Sequence, residues 1–369
     1  MVEDVYRKVQ RQLDQYSIGF PETESGVEIH ILKLLFDEKD AAVFSEMTGE
    51  VETPESVSAR IRRPLEDVVQ DLERLAKKGL LYRVREGGSA KYSAIPFIHG
   101  LLEFQAPWMP KELVSLTGKY IREKLKDNMA GGSGMRVLPI KESVDFEHKV
   151  ASYDDAREIL KKEALIAVTD CSCRLQRKLF DRACNSPLEA CIMVGPMAEY
   201  YIENRMGRQI TLDEAMKIIE DSHAAGLVTQ TQSVTRPFMI CNCCKCCCGF
   251  LGAVRRTPKP AGLVISNHVA RVDRAKCNGC GACIENCQVQ AIAVKDDTAA
   301  EIDYDRCIGC GLCVPACPTA ALSLVPKPEE NRDVPRENLH QKMVRAAKRR
   351  RGECVDERQV VDFGFDQTD

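Results

Sequence analysis

Residues 277–287 read Cys-Asn-Gly-Cys-Gly-Ala-Cys-Ile-Glu-Asn-Cys, and residues 307–317 read Cys-Ile-Gly-Cys-Gly-Leu-Cys-Val-Pro-Ala-Cys. The two stretches set four cysteines at one spacing, 30 residues apart. Their frame repeats as well. Val272-Asp273 precedes the first set as Ile302-Asp303 precedes the second, and Ala291–Val294 follows the first as Ala321–Leu324 follows the second. Each half therefore predicts a strand, a cysteine loop, a helical turn and a returning strand. A zinc site needs four thiolates, and this repeat supplies eight, so a multi-metal centre is the better account of it.

Beyond the repeat, the 369-residue chain carries 52 Lys+Arg against 55 Asp+Glu, a formal charge of −3, and 19 cysteines. The length allows two to four domains. The balanced charge disfavours a globally basic nucleic-acid binder, and no apolar run nears the ~20 residues of a membrane helix. Met1 to Gln15 lacks the apolar core and cleavage site of a signal peptide, so a cytoplasmic location is expected. In that reducing compartment the thiols are not expected to pair as disulfides. None precedes Cys171, ten fall between Cys171 and Cys248, eight between Cys277 and Cys317, and Cys354 stands alone.

The repeat resembles the two-[4Fe–4S] bacterial-type ferredoxin domain, over about Leu263 to Val325. The resemblance implies a crossed ligand set in which the fourth cysteine of each run serves the other cluster. Carried over, Cys277, Cys280, Cys283 and Cys317 hold one cluster, and Cys307, Cys310, Cys313 and Cys287 the other. Gly279, Gly281, Gly309 and Gly311 are expected to let backbone amides approach the cluster sulfides. Pro318 follows Cys317 as in that family, but Gln288 stands where a proline is expected after Cys287.

The other ten thiols are Cys171, Cys173, Cys184, Cys191, Cys241, Cys243, Cys244, Cys246, Cys247 and Cys248. Six of them fall within eight positions. Whether Cys241 to Cys248 is helical or extended, its side chains cannot all aim at one centre, so two centres, or one centre with spare thiols, are expected. The Cys171-x-Cys173-Arg174 opening and the closing Cys-rich run resemble a group of multi-cluster 4Fe–4S dicluster-domain proteins of anaerobic bacteria and archaea. Cys247-Cys248-Gly249 is also similar to a fragment of the cysteine-rich motif of heterodisulfide reductase catalytic subunits. One or two iron–sulfur clusters beyond the first pair are expected here, with zinc and dithiol chemistry as the alternatives. Arg174 and Lys245 lie beside these thiols and either tune them or face solvent. His223, at the end of a helix opened by a Thr211/Glu214 capping box, is expected to meet the last carbonyls.

The cysteine-free front half reads as an amphipathic helix over Met1 to Gln15, then three helices and a hairpin. Ile29, Leu32, Leu35 and Phe36 mark the first of the three. Thr53-Pro54 opens the second, and Pro64 the third, whose Leu65, Val68, Val69, Leu72 and Leu75 share a face. Leu80–Val84 and Ala90–Ala94 flank a Gly87-Gly88 turn. This segment resembles a winged helix-turn-helix domain. Glu66, Asp67, Asp71 and Glu73 on the third helix would face phosphates, so protein docking or dimerisation is preferred over DNA binding, although Arg60, Arg62 and Arg63 lie just upstream.

The fold class expected is α+β. Its units are an N-terminal helix (1–26), a winged-helix-like domain (27–100), a helical linker (101–134), a central α/β Cys-rich metal-cluster domain (135–262), a βαββαβ-type two-cluster ferredoxin domain (263–326) and a polar, basic tail (327–369). Within the linker, a helix from Pro110 to about Asn128 precedes a Gly131–Gly134 break. Beyond it, Ser152 is expected to cap a helix over Tyr153 to Lys162. The first functional reading is an electron carrier or electron-transfer subunit whose partner is a redox protein, such as a flavoprotein or another oxidoreductase subunit. No dinucleotide fingerprint or P-loop is present. The alternatives are an oxidoreductase with its catalytic centre at Cys171–Cys248, and a redox-sensing winged-helix regulator.

Overall fold

Hydrophobic periodicity and end caps account for most elements of the computed structural model, which describes residues 4–125, 134–145, 147–295 and 299–352. The Gly131–Ser133 part of the expected break and Cys354 lie outside these residues. Helix α1 (Val5–Asp14) starts at Asp4, whose side chain accepts from the Tyr6 amide, and it buries Val9 and Leu13. Four helices, not three, lie between α1 and the hairpin: α2 (Val27–Leu35), α3 (Glu38–Phe44), α4 (Pro54–Ile61) and α5 (Leu65–Lys77). The extra one arises because Phe36 turns extended and Asp37 then caps a new helix by accepting from the Asp40 amide. Thr53 caps α4 with Pro54 in its first turn, as expected. Strands β1 (Tyr82–Glu86) and β2 (Ser89–Ser93) close the hairpin.

The acids of α5 find partners inside this unit. Asp71 is buried and pairs with Arg63, Arg74 and Lys39, while buried Asp40 pairs with Arg74 and Lys78. Burial opposes its charge, but hydrogen bonds from Arg74, Arg63 and Lys39 hold the Asp71 carboxyl down at about 2. Arg60 is likewise held by Glu52. After the hairpin the chain bends at Phe97–Leu101, where His99 takes a left-handed φ of 61°. Helix α6 (Lys111–Tyr120), with the turn Ile121–Leu125 behind it, packs on α2. Its Tyr120 hydroxyl donates to the Pro21 carbonyl at 3.0 Å.

The central domain is a six-stranded sheet in the order β3-β7-β8-β5-β4-β6, made of Met135–Val137, Val228–Gln232, Met239–Cys243, Glu189–Val194, Ile166–Asp170 and Arg208–Gln209. Every pairing is antiparallel, so the central domain, expected as α/β, sets its helices against an antiparallel sheet. Only β7 and β8 are joined by a short loop; longer segments carrying helices or other strands separate the remaining neighbours along the chain. Helix α7 (Ala156–Lys161) is capped by Asp155, not Ser152, because Ser152–Asp154 makes a tighter turn. Helix α8 (Ser172–Lys178) follows β4 directly, and α9 (Gly195–Glu203) follows β5. Helix α10 (Leu212–Ala224) has the expected Thr211/Glu214 capping box.

Strand alternation sorts the two sheet faces. Ile166, Val168, Ile192, Val194 and Ile240 pack under Ala215 and Ile219 of α10. Ala167, Met193 and Met239 join the main core with α9 and the front half. Helix α9 fastens that front half. Its Tyr200 hydroxyl donates to the Ala76 and Leu81 carbonyls at 3.0 and 2.8 Å, and buried Arg83 pairs with Glu73 and with Glu203 of α9.

Helix α11 (Gly249–Arg255) leads into the repeat. There β9 (His268–Val272) pairs with β12 (Leu322–Pro326), and β10 (Ile292–Ala293) pairs with β11 (Glu301–Ile302), so the first strand of one half lies beside the last strand of the other. The first half contains α12 (Ala282–Asn286). In the second half only turns follow Cys313, where Pro315 lacks the amide a helix needs. Residues 135–145 stitch the repeat to the central sheet through Val137 N to Ile265 O, Ile140 N to Cys310 O and Asp145 N to Leu324 O, at 2.8, 3.0 and 2.8 Å. The tail carries α13 (Leu339–Arg350). It folds back: Arg350 pairs with Asp14 of α1 at 3.1 Å. No helix among the described residues is long and apolar enough to cross a membrane.

Candidate metal centres

The two cysteine runs of the repeat cross as they fold. Cys277, Cys280, Cys283 and Cys317 line one pocket, with Pro318 and Leu322 on its wall. Cys287 lies electrostatically against Cys307, Cys310 and Cys313 instead, and Cys283 lies against Cys313 between the groups. Backbone amides point at the sulfurs: Ala270 at Cys307, Ala291 at Cys287, Ala300 at Cys277 and Ala321 at Cys317, at 3.4, 3.1, 3.4 and 3.3 Å. Such donors stabilise thiolate over thiol. Burial pushes the Cys310 thiol up to about 12 and Cys313 up as well, so these sulfurs call for a cation before they ionise. The donor set and its amides therefore fit iron–sulfur clusters.

Gly279, Gly281, Gly309 and Gly311 all take positive φ. The demand is steepest at Gly309, where an added Cβ would meet the His268 carbonyl oxygen at 2.1 Å. The two pockets differ in exposure. Cys280 is exposed, and beside it Ile284 shows 39% of its surface. Cys307 and Cys313 are buried, with residues 140–144 lying over their loop and Ser143 donating to the Gly311 carbonyl.

The ten remaining thiols separate into two groups. The run Cys241–Cys248 is neither a helix nor a single strand: β8 ends at Cys243, a turn carries Cys244 to Cys247, and Cys248 caps α11. Cys241 and Cys243 thus share the sheet face toward the front half, and Cys191 pairs directly with Cys241. Cys171 and Cys173 reach the same place from the β4–α8 junction. Together they close a ring: Cys171 neighbours Cys173 and Cys191, Cys191 neighbours Cys241, Cys241 neighbours Cys243, Cys243 neighbours Cys248, and Cys248 neighbours Cys173. Hydrogen bonds from Cys241 and Cys248 bring the Cys243 thiol down to about 6, while its partners are pushed up, because neighbouring sulfurs cannot all ionise unaided.

The ring's surroundings are polar where a core is expected. Gln230, opposite Cys241 across the β7/β8 pair, is fully buried with both amide atoms unpartnered. An orphaned buried amide is costly unless a bound group meets it. Glu103 and His99 feel the charge of Cys173, and Tyr201 that of Cys191 and Cys241. Burial pushes the Glu103 carboxyl up to about 7. None of these four residues was singled out from the sequence. Their one legible signal is β7, Val-Thr-Gln-Thr-Gln, a largely polar strand buried along its whole length.

The second group is Cys184, Cys244, Cys246 and Cys247, whose sulfurs all lie within 4.8 Å of one another. Among the described residues no other group of three or more ligand atoms is so tight. Arg174 stands between the groups. It is 1% exposed, donates to the Pro187 and Asn242 carbonyls at 2.9 and 3.0 Å, and lies against Cys171, Cys184 and Cys244. It is therefore not a solvated side chain. His223 meets the Thr229 hydroxyl at 2.8 Å rather than a helix carbonyl.

The glutamine that replaces the expected proline has a partner. Gln288 Oε1 accepts from the Lys245 amide at 3.1 Å, tying the second thiol group to the repeat one residue beyond Cys287. Arg306, next to Cys307, donates to the Arg255, Thr257 and Val289 carbonyls and so holds α11 against the repeat.

No curated protein and no solved structure matches the chain. Residues 270–324 match the family model described as the 4Fe-4S dicluster domain, which makes this stretch, set beside a second cysteine-rich region, similar to an iron–sulfur electron-transfer domain.

Proposed function

We propose that the chain is an electron-transfer protein, or the electron-transfer subunit of an oxidoreductase, that passes single electrons through two [4Fe–4S] clusters and at least one further cluster. In this reading Cys277, Cys280, Cys283 and Cys317 hold the first cluster, and Cys307, Cys310, Cys313 and Cys287 the second. The six-thiol ring holds the third. When bound, the clusters accept and release electrons one at a time. The protein supplies the ligands, the amide donors that stabilise their charge, and a dry interior for two of the three sites.

The observation that carries the proposal is the sequence of contacts from surface to interior. The first pocket opens beside exposed Cys280 and Ile284, Cys283 approaches Cys313 of the second, and Gln288 joins Cys287's neighbourhood to the Cys-rich turn. A redox partner docks at the exposed end. The front half then serves protein contacts rather than DNA, since Arg60 and Arg63 are already paired with Glu52 and Asp71.

One observation favours a second reading, an oxidoreductase whose centre is the ring. Glu103, His99 and Tyr201 place buried proton-bearing groups within electrostatic reach of ring thiols, which a simple relay does not require. Iron and acid-labile sulfide per chain, with electron paramagnetic resonance of the reduced protein, test both. About eight irons come from two cubes, and at least four more are expected from the ring. Fewer than eight sinks the relay. A ring signal that changes when a disulfide substrate is added favours the enzyme.

A further inference from the structure

The geometry points to a single tetrahedral zinc ion, not an iron–sulfur cluster, at Cys184, Cys244, Cys246 and Cys247. The argument is one of size. Cys184 Sγ lies 3.7 Å from Cys244 Sγ and 3.7 Å from Cys247 Sγ, and Cys246 Sγ lies 3.8 Å from Cys247 Sγ. Four sulfurs at the Zn–S length of about 2.3 Å from one ion stand about 3.8 Å apart when tetrahedral. In a cube each thiolate binds a different iron, so the four ligands mark a much larger tetrahedron. A set whose six separations all stay within 4.8 Å has no room for one.

The chemistry agrees with the size. All four donors are cysteine sulfurs, the closed four-thiolate set of a structural zinc site. For one thiolate site the divalent series places zinc above iron, so the site favours zinc where the two are equally available. The surroundings are those of a structural ion: Leu227 packs against Cys184, Cys244 and Cys247 as a small separate core. Ser186 hydrogen-bonds to Cys184, and the charge of Arg174 faces Cys184 and Cys244. The ion joins the loop after α8 to the turn between β8 and α11. Ring thiols flank both segments, Cys173 in α8 before the loop, and Cys243 and Cys248 at the two ends of the turn. The zinc therefore positions the ring without being part of it, and the ten thiols divide into four and six.

The test uses the full chain, produced anaerobically with iron and zinc both supplied. Elemental analysis is expected to find one zinc per chain, and zinc-edge X-ray absorption four sulfur neighbours at about 2.3 Å. Cys246 is exposed, so Cys246→Ser should fold while weakening zinc retention against a chelator at least tenfold and leaving iron and sulfide unchanged. Absence of zinc, zinc with nitrogen or oxygen neighbours, or a lone iron at these four thiols overturns the inference. So does a loss of about four irons in Cys246→Ser. The iron and sulfide total from the repeat is a separate number, so the electron-transfer reading stands or falls independently.

Discussion

The ferredoxin-like repeat and the central Cys-rich domain solve one problem, gathering thiolates, in opposite ways. In the repeat, eight cysteines lie within 41 residues, and their spacing alone wraps each loop around a site. Only the fourth ligand of each group comes from the other half, and the interlocked pairing of β9 with β12 and β10 with β11 supplies it. In the central domain ten cysteines span 78 residues, and no group is local. The ring takes thiols from the β4–α8 junction, β5, β8 and the first turn of α11, and only an antiparallel sheet brings those four places together. A site written in spacing tolerates a change elsewhere in the fold. A site written in topology depends on everything that holds the sheet.

That difference predicts where damage spreads. The largest effect is expected for Arg174→Ala, which leaves the Pro187 and Asn242 carbonyls unpaired and removes the buried charge between the two thiol groups. The cost should be about 3–5 kcal/mol, by analogy with breaking a buried ion pair. Metal analysis and thermal melting should show the central metals lost and the two cubes kept. Loss of the cubes as well would mean that the regions fold as one unit and break the contrast.

Next comes Gly309→Ala, with a Cβ against the His268 carbonyl and a positive φ. Overpacking and left-handed backbone together cost roughly 2–4 kcal/mol. Gly281→Ala meets nothing nearer than Ile284 at 3.7 Å, so only the backbone term, about 1 kcal/mol, should remain. Equal losses in melting temperature would show that loop conformation, not packing, decides both sites.

The thiol-free front half is the reference. Its Asp71 carboxyl is held at about 2 by Arg74, Arg63 and Lys39 against the penalty of burial. A depressed carboxylate contributes stability that is fully present above the unfolded value of about 3.9 and is lost as pH falls toward 2. The contribution is about 2 kcal/mol. Denaturant melts of Asp71→Asn should therefore lose stability at pH 6 and lose little at pH 2.5; an equal deficit at both would remove the charge from the account. The smallest effect is expected for Gln288→Pro, which deletes the bond to the Lys245 amide for about 1 kcal/mol. Both cubes should form, and a spectrum with either cube missing would show that Gln288 does more than join the regions.

Much of the helical and hairpin structure was legible because caps and periodicity are local: Thr53-Pro54, the Thr211/Glu214 box and the Gly87-Gly88 turn all act within a few residues. The misses have local causes too. Helix α3 was hidden because Phe36 continues the apolar pattern of α2 while its backbone leaves the helix, and Pro315 denied the second half the helical turn the repeat implied. Arg174 and Gln230 were not legible as buried, because a polar side chain in a sequence carries no mark of what will later cover it.

From residue order alone it follows that this protein gathers eight thiols in two like loops, because ligand spacing and glycine at positive φ act over a few residues. The same order shows ten more thiols packed too densely along the chain to be ordinary core side chains. How those ten divide emerges only once the chain is folded. Sheet alternation sends Cys241 and Cys243 to one face with Cys191, while the turn after β8 carries Cys244, Cys246 and Cys247 to Cys184. A strand register and a loop closure set distances between residues tens of positions apart, and spacing along the chain does not.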